Sequence, residues 1–250
     1  MHDPAPDSLP EHDACADRRP TMTARSPLRG VIFDCDGTLV DSEGPALEVL
    51  LRLAREEGAD LTIDQADAQF RGVRMADCAR WVAAQRPGRP LGFEADFIRR
   101  VREVSEARFR QGLQALPGAH DLLDLLAAPP LALPFCVATN GPRQKVELTL
   151  ELTGLRARFG DHVFCAYEVG SFKPEPGLFL HAARAIGVPP EHCAVIEDSL
   201  PGVRAGLAAG MQVFALLGAD ELPGDLRGQV TCLDKLAAFG RLLVQRQAGT

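Results

Sequence analysis

The stretch that most constrains the fold runs from Gly30 to Glu43. Val31, Ile32 and Phe33 lead straight into two aspartates, Asp34 and Asp36, and Gly37 then breaks the run. A short apolar, β-branched run ending at a glycine reads as a buried parallel strand. In open α/β sheets, ligands bind beyond the carboxyl ends of such strands, which puts Asp34 and Asp36 where chemistry occurs. Strand alternation turns both toward one face and Cys35 away from it. Two ionised carboxylates this close repel, so a divalent cation or a shared proton must offset them. A calcium loop needs ligands at its first, third and fifth positions and glycine at its sixth. Gly37 comes fourth and Thr38 fifth, which excludes that reading.

The rest of the chain predicts what surrounds this strand. Residues 1–27 carry Pro4, Pro6, Pro10, Pro20 and Pro27 among mixed charges and read as a disordered tail, with Met22 as a second possible start. From 44 to 113 there is no strand signal. Helices are expected at Pro45–Gly58, from a capping box formed by Thr62 and Gln65 to Phe70, at Met75–Gln85 and at Phe93–Gln111. Between the second and third lies a basic loop with Arg71, Gly72 and Arg74.

Strand and helix then alternate. Strands are expected at Leu133–Ala138, Val163–Ala166, Cys193–Ile196 and Met211–Leu216, and helices at Asp121–Leu126, Arg143–Leu152, Gly177–Ile186, Pro201–Ala209 and Leu233–Val244. This pattern predicts an α/β fold: a Rossmann-like parallel sheet with helices on both faces, and a small α-helical cap inserted after the first strand. The expected organisation is a tail at 1–27, a catalytic core made of 28–43 and 114–250, and a cap at 44–113.

Each strand of the pattern is expected to end in polar residues: Asp34 and Asp36, then Thr139 and Asn140, then Glu197 and Asp198. Lys173 joins them from a loop on the same edge. Acid, hydroxyl, amine and acid gathered on one sheet edge are more than chance would bring together.

Composition narrows the partners. A formal charge of −7 argues against a nucleic-acid surface, and no apolar run reaches membrane-spanning length or resembles a signal peptide. Seven scattered cysteines without a C-x-x-C pair suit reduced thiols in a cytoplasm. Cys136 and Cys193 lie in apolar runs and are expected in the core.

Asp34–Ser42, Thr139–Asn140, Lys173–Pro174 and Glu197–Asp198 resemble, in order and spacing, the four signatures of the haloacid dehalogenase-like hydrolase superfamily. The insert resembles the small helical cap of its β-phosphoglucomutase and phosphoglycolate phosphatase branch. The resemblance implies a phosphatase acting through an aspartyl-phosphate. Asp34 is then the nucleophile and Asp36 the general acid and base, with a pKa above that of an ordinary aspartate. Mg²⁺ is held by Asp34, the backbone carbonyl of Asp36 and Asp198. Glu197 supports the metal or Lys173. Thr139, Asn140 and Lys173 grip the phosphoryl oxygens. Arg71, Gly72 and Arg74 of the cap contact the substrate, and Asp41 and Ser42 shape the turn.

The implied partner is a small phosphorylated metabolite, a sugar or sugar-acid phosphate such as 6-phosphogluconate, and the implied assembly is a monomer or weak homodimer. Phosphoglycolate, hexose 6-phosphates and pyrophosphate stay open. The alternatives are a phosphosugar mutase and a non-catalytic phosphosugar-binding protein. Ala46 stands where that branch's mutases carry a cap-hinge histidine, and no signature aspartate is lost.

Overall fold

The computed structural model describes residues 26–70 and 73–248. Six strands form one parallel sheet: β1 (Gly30–Phe33), β2 (Phe135–Thr139), β3 (Val163–Cys165), β4 (Cys193–Glu197), β5 (Gln212–Ala215) and β6 (Thr231–Cys232). Their spatial order is β3-β2-β1-β4-β5-β6. The chain builds outward from β1 through β2 to β3, then crosses back to place β4 on the other side of β1. The strand order therefore reverses between β1 and β4, and in open α/β sheets the ligand crevice lies at the carboxyl edge of such a point.

The helices are α1 (Glu43–Glu56), α2 (Ile63–Phe70), α3 (Met75–Ala84), α4 (Phe93–Phe109), α5 (Ala119–Ala127), α6 (Arg143–Leu152), α7 (Arg156–Phe159), α8 (Ala166–Val169), α9 (Gly177–Ala185), α10 (Leu200–Ala208) and α11 (Leu236–Ala248). Strand alternation divides the core into two layers. Val31, Phe33, Val137 and Ile196 face α5, α6 and α11. Ile32, Cys136, Ala138 and Val195 face α9 and α10. Side chains on successive strand residues point to opposite faces, so an apolar strand covered on both sides must read as an unbroken hydrophobic run. Cys136 and Cys193 are fully buried as expected, and six described cysteines are free thiols.

Helices α1 to α4 enclose a third cluster of their own, including Val49, Leu53, Phe70, Val82, Phe97 and Val101. Two chain segments join this insert to the sheet. They pair with each other: Asp41 N–H donates to the Gln114 carbonyl at 3.0 Å, and Leu116 N–H to that of Leu39 at 2.8 Å. The insert also touches the core through α4: the Gln144 side-chain amide of α6 donates to Glu106 at 3.1 Å, and Phe109 is buried among the core side chains.

The capping box forms as read. Thr62 N–H donates to Gln65 Oε1 at 2.8 Å, and Gln65 N–H to Thr62 Oγ1 at 3.2 Å. Other boundaries differ. Helix α1 begins at Glu43, two residues before Pro45, because proline is tolerated anywhere in the first turn. The last helix starts at Leu236 rather than Leu233 and continues to Ala248. Four elements were not anticipated: α7, α8, β6 and a 3-10 turn at Pro190–His192. Each spans four residues or fewer, too few to show a period.

Two strands correct the expectation of polar ends, since β3 stops at Cys165 and β5 at Ala215. The polar strand ends are those of β1, β2 and β4, and Lys173 joins them from the loop after α8. Ser26 and Pro27, assigned to the tail, are held: Gln212 donates to the Ser26 carbonyl at 2.7 Å, and His192 Nδ1 lies 2.8 Å from that of Pro27. The remainder of the tail lies outside the described residues. Among the described residues no helix is long and apolar enough to cross a membrane.

Helix α11 is pinned to the sheet by Phe239, fully buried edge-on against Phe214 with ring centroids 4.7 Å apart. Phe239→Ala is expected to lower stability by about 3–5 kcal/mol, read as a shifted urea midpoint at unchanged slope. The KM of the folded fraction should not move, because the ring lies in the core rather than at the crevice.

Candidate active site

Asp34 follows β1 directly, and its backbone N–H still pairs with the Ile196 carbonyl of β4 at 3.0 Å. Its side chain is buried, and Lys173 Nζ donates to Asp34 Oδ1. The same ammonium donates to Glu197 Oε1 at 2.5 Å and sits 4.9 Å from the Phe179 ring centroid. Lys173, 139 residues beyond Asp34 in the chain, is thus a buried cation shared by two carboxylates.

Glu197 is fully buried, and both of its oxygens are engaged. Oε1 holds Lys173, while Oε2 accepts from Ser199 N–H at 2.9 Å and Ser199 Oγ at 2.8 Å. Ser199 caps α10 by accepting from Gly202 N–H at 3.2 Å. A Cβ on Gly202 would fall 1.9 Å from the Glu197 carboxylate, so glycine is required for this approach. Of the two roles expected for Glu197, the geometry serves the support of Lys173. Oε1 faces the lysine and Oε2 faces the α10 cap.

Asn140 holds the Lys173 loop. Lys173 N–H donates to Asn140 Oδ1 at 3.0 Å, and Asn140 Nδ2 donates to the Lys173 carbonyl at 3.3 Å. Its side chain therefore grips backbone rather than pointing freely at a ligand. Thr139, at the end of β2, is buried and accepts from Gly141 N–H at 3.0 Å, which leaves its hydroxyl proton for another acceptor.

Asp198 lies across the crevice mouth. Thr38 Oγ1 donates to Asp198 Oδ1 at 3.0 Å. Gly37 adopts φ +72°, and a Cβ there would lie 2.0 Å from Asp198 Oδ2. The residue after the second aspartate must be glycine for both reasons, conformation and space.

Charge is unevenly balanced here. Burial pushes the Asp34 carboxyl above its ordinary pKa; Glu197 and Asp36 add to this, and Lys173 opposes it without cancelling it. Burial also raises Asp198 well above the usual carboxylate range, and Asp34, Glu197 and Glu43 push in the same direction. For Lys173, burial favours the neutral amine, but Asp34 and Glu197 outweigh it and raise the pKa. Carboxylates crowded into a buried edge with one shared ammonium form a donor set that a divalent cation would neutralise. Among the described residues no group of three or more His, Cys, Asp or Glu side chains forms a metal cage. A two-carboxylate site completed by backbone, water and phosphate oxygens fits Mg²⁺, which keeps several waters, better than zinc or calcium.

Asp36 departs from expectation. Burial raises its pKa, but Lys145 and the Ser42 hydroxyl outweigh burial, and the net direction is down. Lys145 Nζ is 2.9 Å from Asp36 Oδ1, and Ser42 Oγ donates to the same oxygen at 2.5 Å. Ser42 was assigned to the turn. It occupies the cap position of α1, yet its hydroxyl bonds to Asp36 instead of to the helix.

Lys145 was missed altogether. A signal existed: the first turn of α6 holds Arg143 and Lys145 and no acid, against the helix dipole. Arg143 is accounted for by Glu168, Glu147 and the Val163 carbonyl. Lys145 is accounted for only at the crevice.

Of the cap loop, Arg71 and Gly72 lie outside the described residues. Arg74 is 81% exposed and pairs with Asp77 at 3.0 Å. Ala46, at the hinge position, packs against the core.

Four signatures thus meet at the carboxyl ends of β1, β2 and β4, at the point where the strand order reverses. The sequence model of haloacid dehalogenase-like hydrolases matches residues 28–210. The 6-phosphogluconate phosphatase of Escherichia coli K12 is 34% identical over 189 residues, covering 76% of this chain and 82% of its own. Hexitol phosphatase A of the same organism is 33% identical over 196 residues, covering 78% and 86%. A crystal structure of a HAD family hydrolase from Deinococcus radiodurans R1, with bound phosphate and sodium, superposes with a TM-score of 0.71 at 31% identity, covering 88% and 96%. The chain belongs to the haloacid dehalogenase-like hydrolase family. Its enzyme class is phosphoric monoester hydrolase.

Breaking a buried charge pair costs far more than losing a surface one. Glu197→Ala is expected to destabilise the protein by about 3–5 kcal/mol in urea unfolding, because Lys173 is left half-compensated in the core. Arg52→Ala, which removes a half-exposed pair with Glu56, should change stability by less than about 1 kcal/mol.

Proposed function

We propose that the chain is a Mg²⁺-dependent phosphatase of a small phosphorylated metabolite, a sugar or sugar-acid phosphate, that works through an aspartyl-phosphate on Asp34. The observation that carries this reading is the convergence of Asp34, Asp36, Thr139, Lys173 and Asp198 on one sheet edge. Hydrolases of this family generally use a divalent metal, usually Mg²⁺. Asp34, Asp198 and the Asp36 backbone carbonyl would hold it. When bound, the ion supplies positive charge that lets an anionic carboxylate approach an anionic phosphate.

The remaining work falls to the chain's own groups. Asp34 attacks phosphorus, since Lys173 fixes one of its oxygens and leaves the other to react. Lys173 and the Thr139 hydroxyl proton meet the phosphoryl oxygens as charge builds on them. Glu197 and Asn140 keep Lys173 in place from two sides, one at its ammonium and one at its backbone. Asp36 protonates the leaving oxygen and later accepts a proton from water. Its lowered pKa is that of the free site; an arriving phosphate dianion pushes a nearby carboxyl back up.

The helical insert at 44–113 acts as a cap over the crevice. Arg71, Gly72 and Arg74 read the substrate from it, and Arg74 must exchange Asp77 for the ligand. A pair this exposed resists the exchange little. The sugar and sugar-acid phosphates are favoured because relatives named 6-phosphogluconate phosphatase and hexitol phosphatase A are 34% and 33% identical over 76% and 78% of this chain.

The test is a screen of phosphorylated metabolites and p-nitrophenyl phosphate with Mg²⁺. Turnover is expected, with loss on chelation and return on adding Mg²⁺. Asp34→Asn should lower kcat by about 10⁴-fold or more. Arg71→Ala should raise KM for the preferred sugar phosphate more than it lowers kcat. Activity that survives Asp34→Asn, or that ignores chelator, contradicts the reading.

A further inference from the structure

One buried-edge cation has no part in the chemistry assigned above. Lys145 stands in the first turn of α6, where a positive charge opposes the helix dipole. Its salt bridge runs to Asp36 Oδ1 at 2.9 Å, and that oxygen also accepts from Ser42 Oγ at 2.5 Å. The other oxygen, Oδ2, lies on the Thr139 and Gly141 side: a Cβ built on Gly141 would meet Thr139 Oγ1 at 3.3 Å and Asp36 Oδ2 at 3.5 Å. One carboxylate oxygen is thus held twice, and its partner faces the residues that close the crevice.

We propose that Lys145 is a positioning residue for proton transfer: together with Ser42 it clamps Oδ1 of Asp36 and so presents Oδ2 to the leaving-group oxygen. The assignment rests on the phosphatase reading above. The torsion that turns an aspartate carboxylate is broad and nearly two-fold, so without restraint either oxygen drifts across the site. A proton passes efficiently only within hydrogen-bond reach of its acceptor. In the first half-reaction the Asp34 oxygen–phosphorus bond forms, the bond from phosphorus to the leaving oxygen breaks, and the proton on Asp36 Oδ2 moves to that oxygen. In the second, a water oxygen bonds phosphorus, the Asp34–phosphorus bond breaks, and the water proton returns to Oδ2. Lys145 gains and loses nothing in either step.

A stability role does not account for the placement. The two side chains are 31% and 22% exposed, and ion pairs open to water add little to folding. A lysine kept against the local dipole for a weak pair is a conflict between local and global preference, and such conflicts collect at functional sites.

The experiment compares leaving groups. A sugar phosphate such as 6-phosphogluconate releases a poor alkoxide that needs a proton, whereas p-nitrophenyl phosphate releases a stable phenolate that does not. The ratio kcat/KM reports only the steps up to departure of the leaving group. K145M is expected to lower kcat/KM for 6-phosphogluconate and glucose 6-phosphate by about 10²-fold, and for p-nitrophenyl phosphate by less than about tenfold. K145R should recover part of the loss, and S42A should show the same selective pattern.

Equal losses on both kinds of ester, or no loss on the alkyl esters, overturn the assignment. If circular dichroism shows K145M unfolded, S42A and K145R decide by the same ratio. A wild-type protein that turns over no ester overturns the phosphatase reading itself. An active wild type with an unselective K145M removes only Lys145.

Discussion

A single ammonium group holds the site together. Lys173 lies in the interior between Asp34 and Glu197, with an aromatic face beside it. An unpaired charge at this depth would be untenable, and so would two carboxylates without it. The three groups come from the end of β1, a loop after α8 and the end of β4. Their mutual compensation therefore ties three distant parts of the chain to one point. It also leaves Asp34 with one oxygen engaged by the ammonium.

The sheet makes this possible. Because β2 and β4 flank β1, the residues that follow them lie beside those that follow β1 although more than a hundred residues farther along the chain. Two glycines then permit contacts that any side chain would block. Gly37 lets the backbone after Asp36 come up against Asp198, and Gly202 lets α10 start against Glu197. The four-helix insert has its own apolar cluster and a paired two-segment connection, and so interrupts the chain after β1 without entering the sheet.

Much of this was legible in the sequence, for identifiable reasons. Strands buried on both faces write themselves as apolar runs, so β1, β2, β4 and β5 could be read within a residue or two. The Thr62–Gln65 box and the Arg143–Leu152 helix carried local signals strong enough to survive folding. The convergence of Asp34, Lys173 and Asp198 could be read from strand-end logic together with the four signatures. What escaped was either too short or purely spatial. Elements α7, α8 and β6 have no room for a period. The Ser42 hydroxyl read as a turn former because its partner, Asp36, becomes its neighbour only when the chain doubles back. Lys145 announced itself only as a cation at the wrong end of a helix. Its effect on Asp36 reversed the direction of a pKa that a general-acid role alone would place high. For Glu197 two roles could be read, and the hydrogen bonds of its oxygens show the one toward Lys173.

Turnover by the proposed route requires a covalent bond between Asp34 and phosphorus. The direct measurement is to quench the enzyme with acid during turnover of a phosphate ester in Mg²⁺, reduce it with borohydride, and sequence its peptides by mass spectrometry. An acyl phosphate is reduced to the alcohol, so homoserine should appear at position 34 and nowhere else, and only when substrate was present. Unmodified Asp34 throughout turnover, or homoserine at position 36 or 198 instead, would contradict the account.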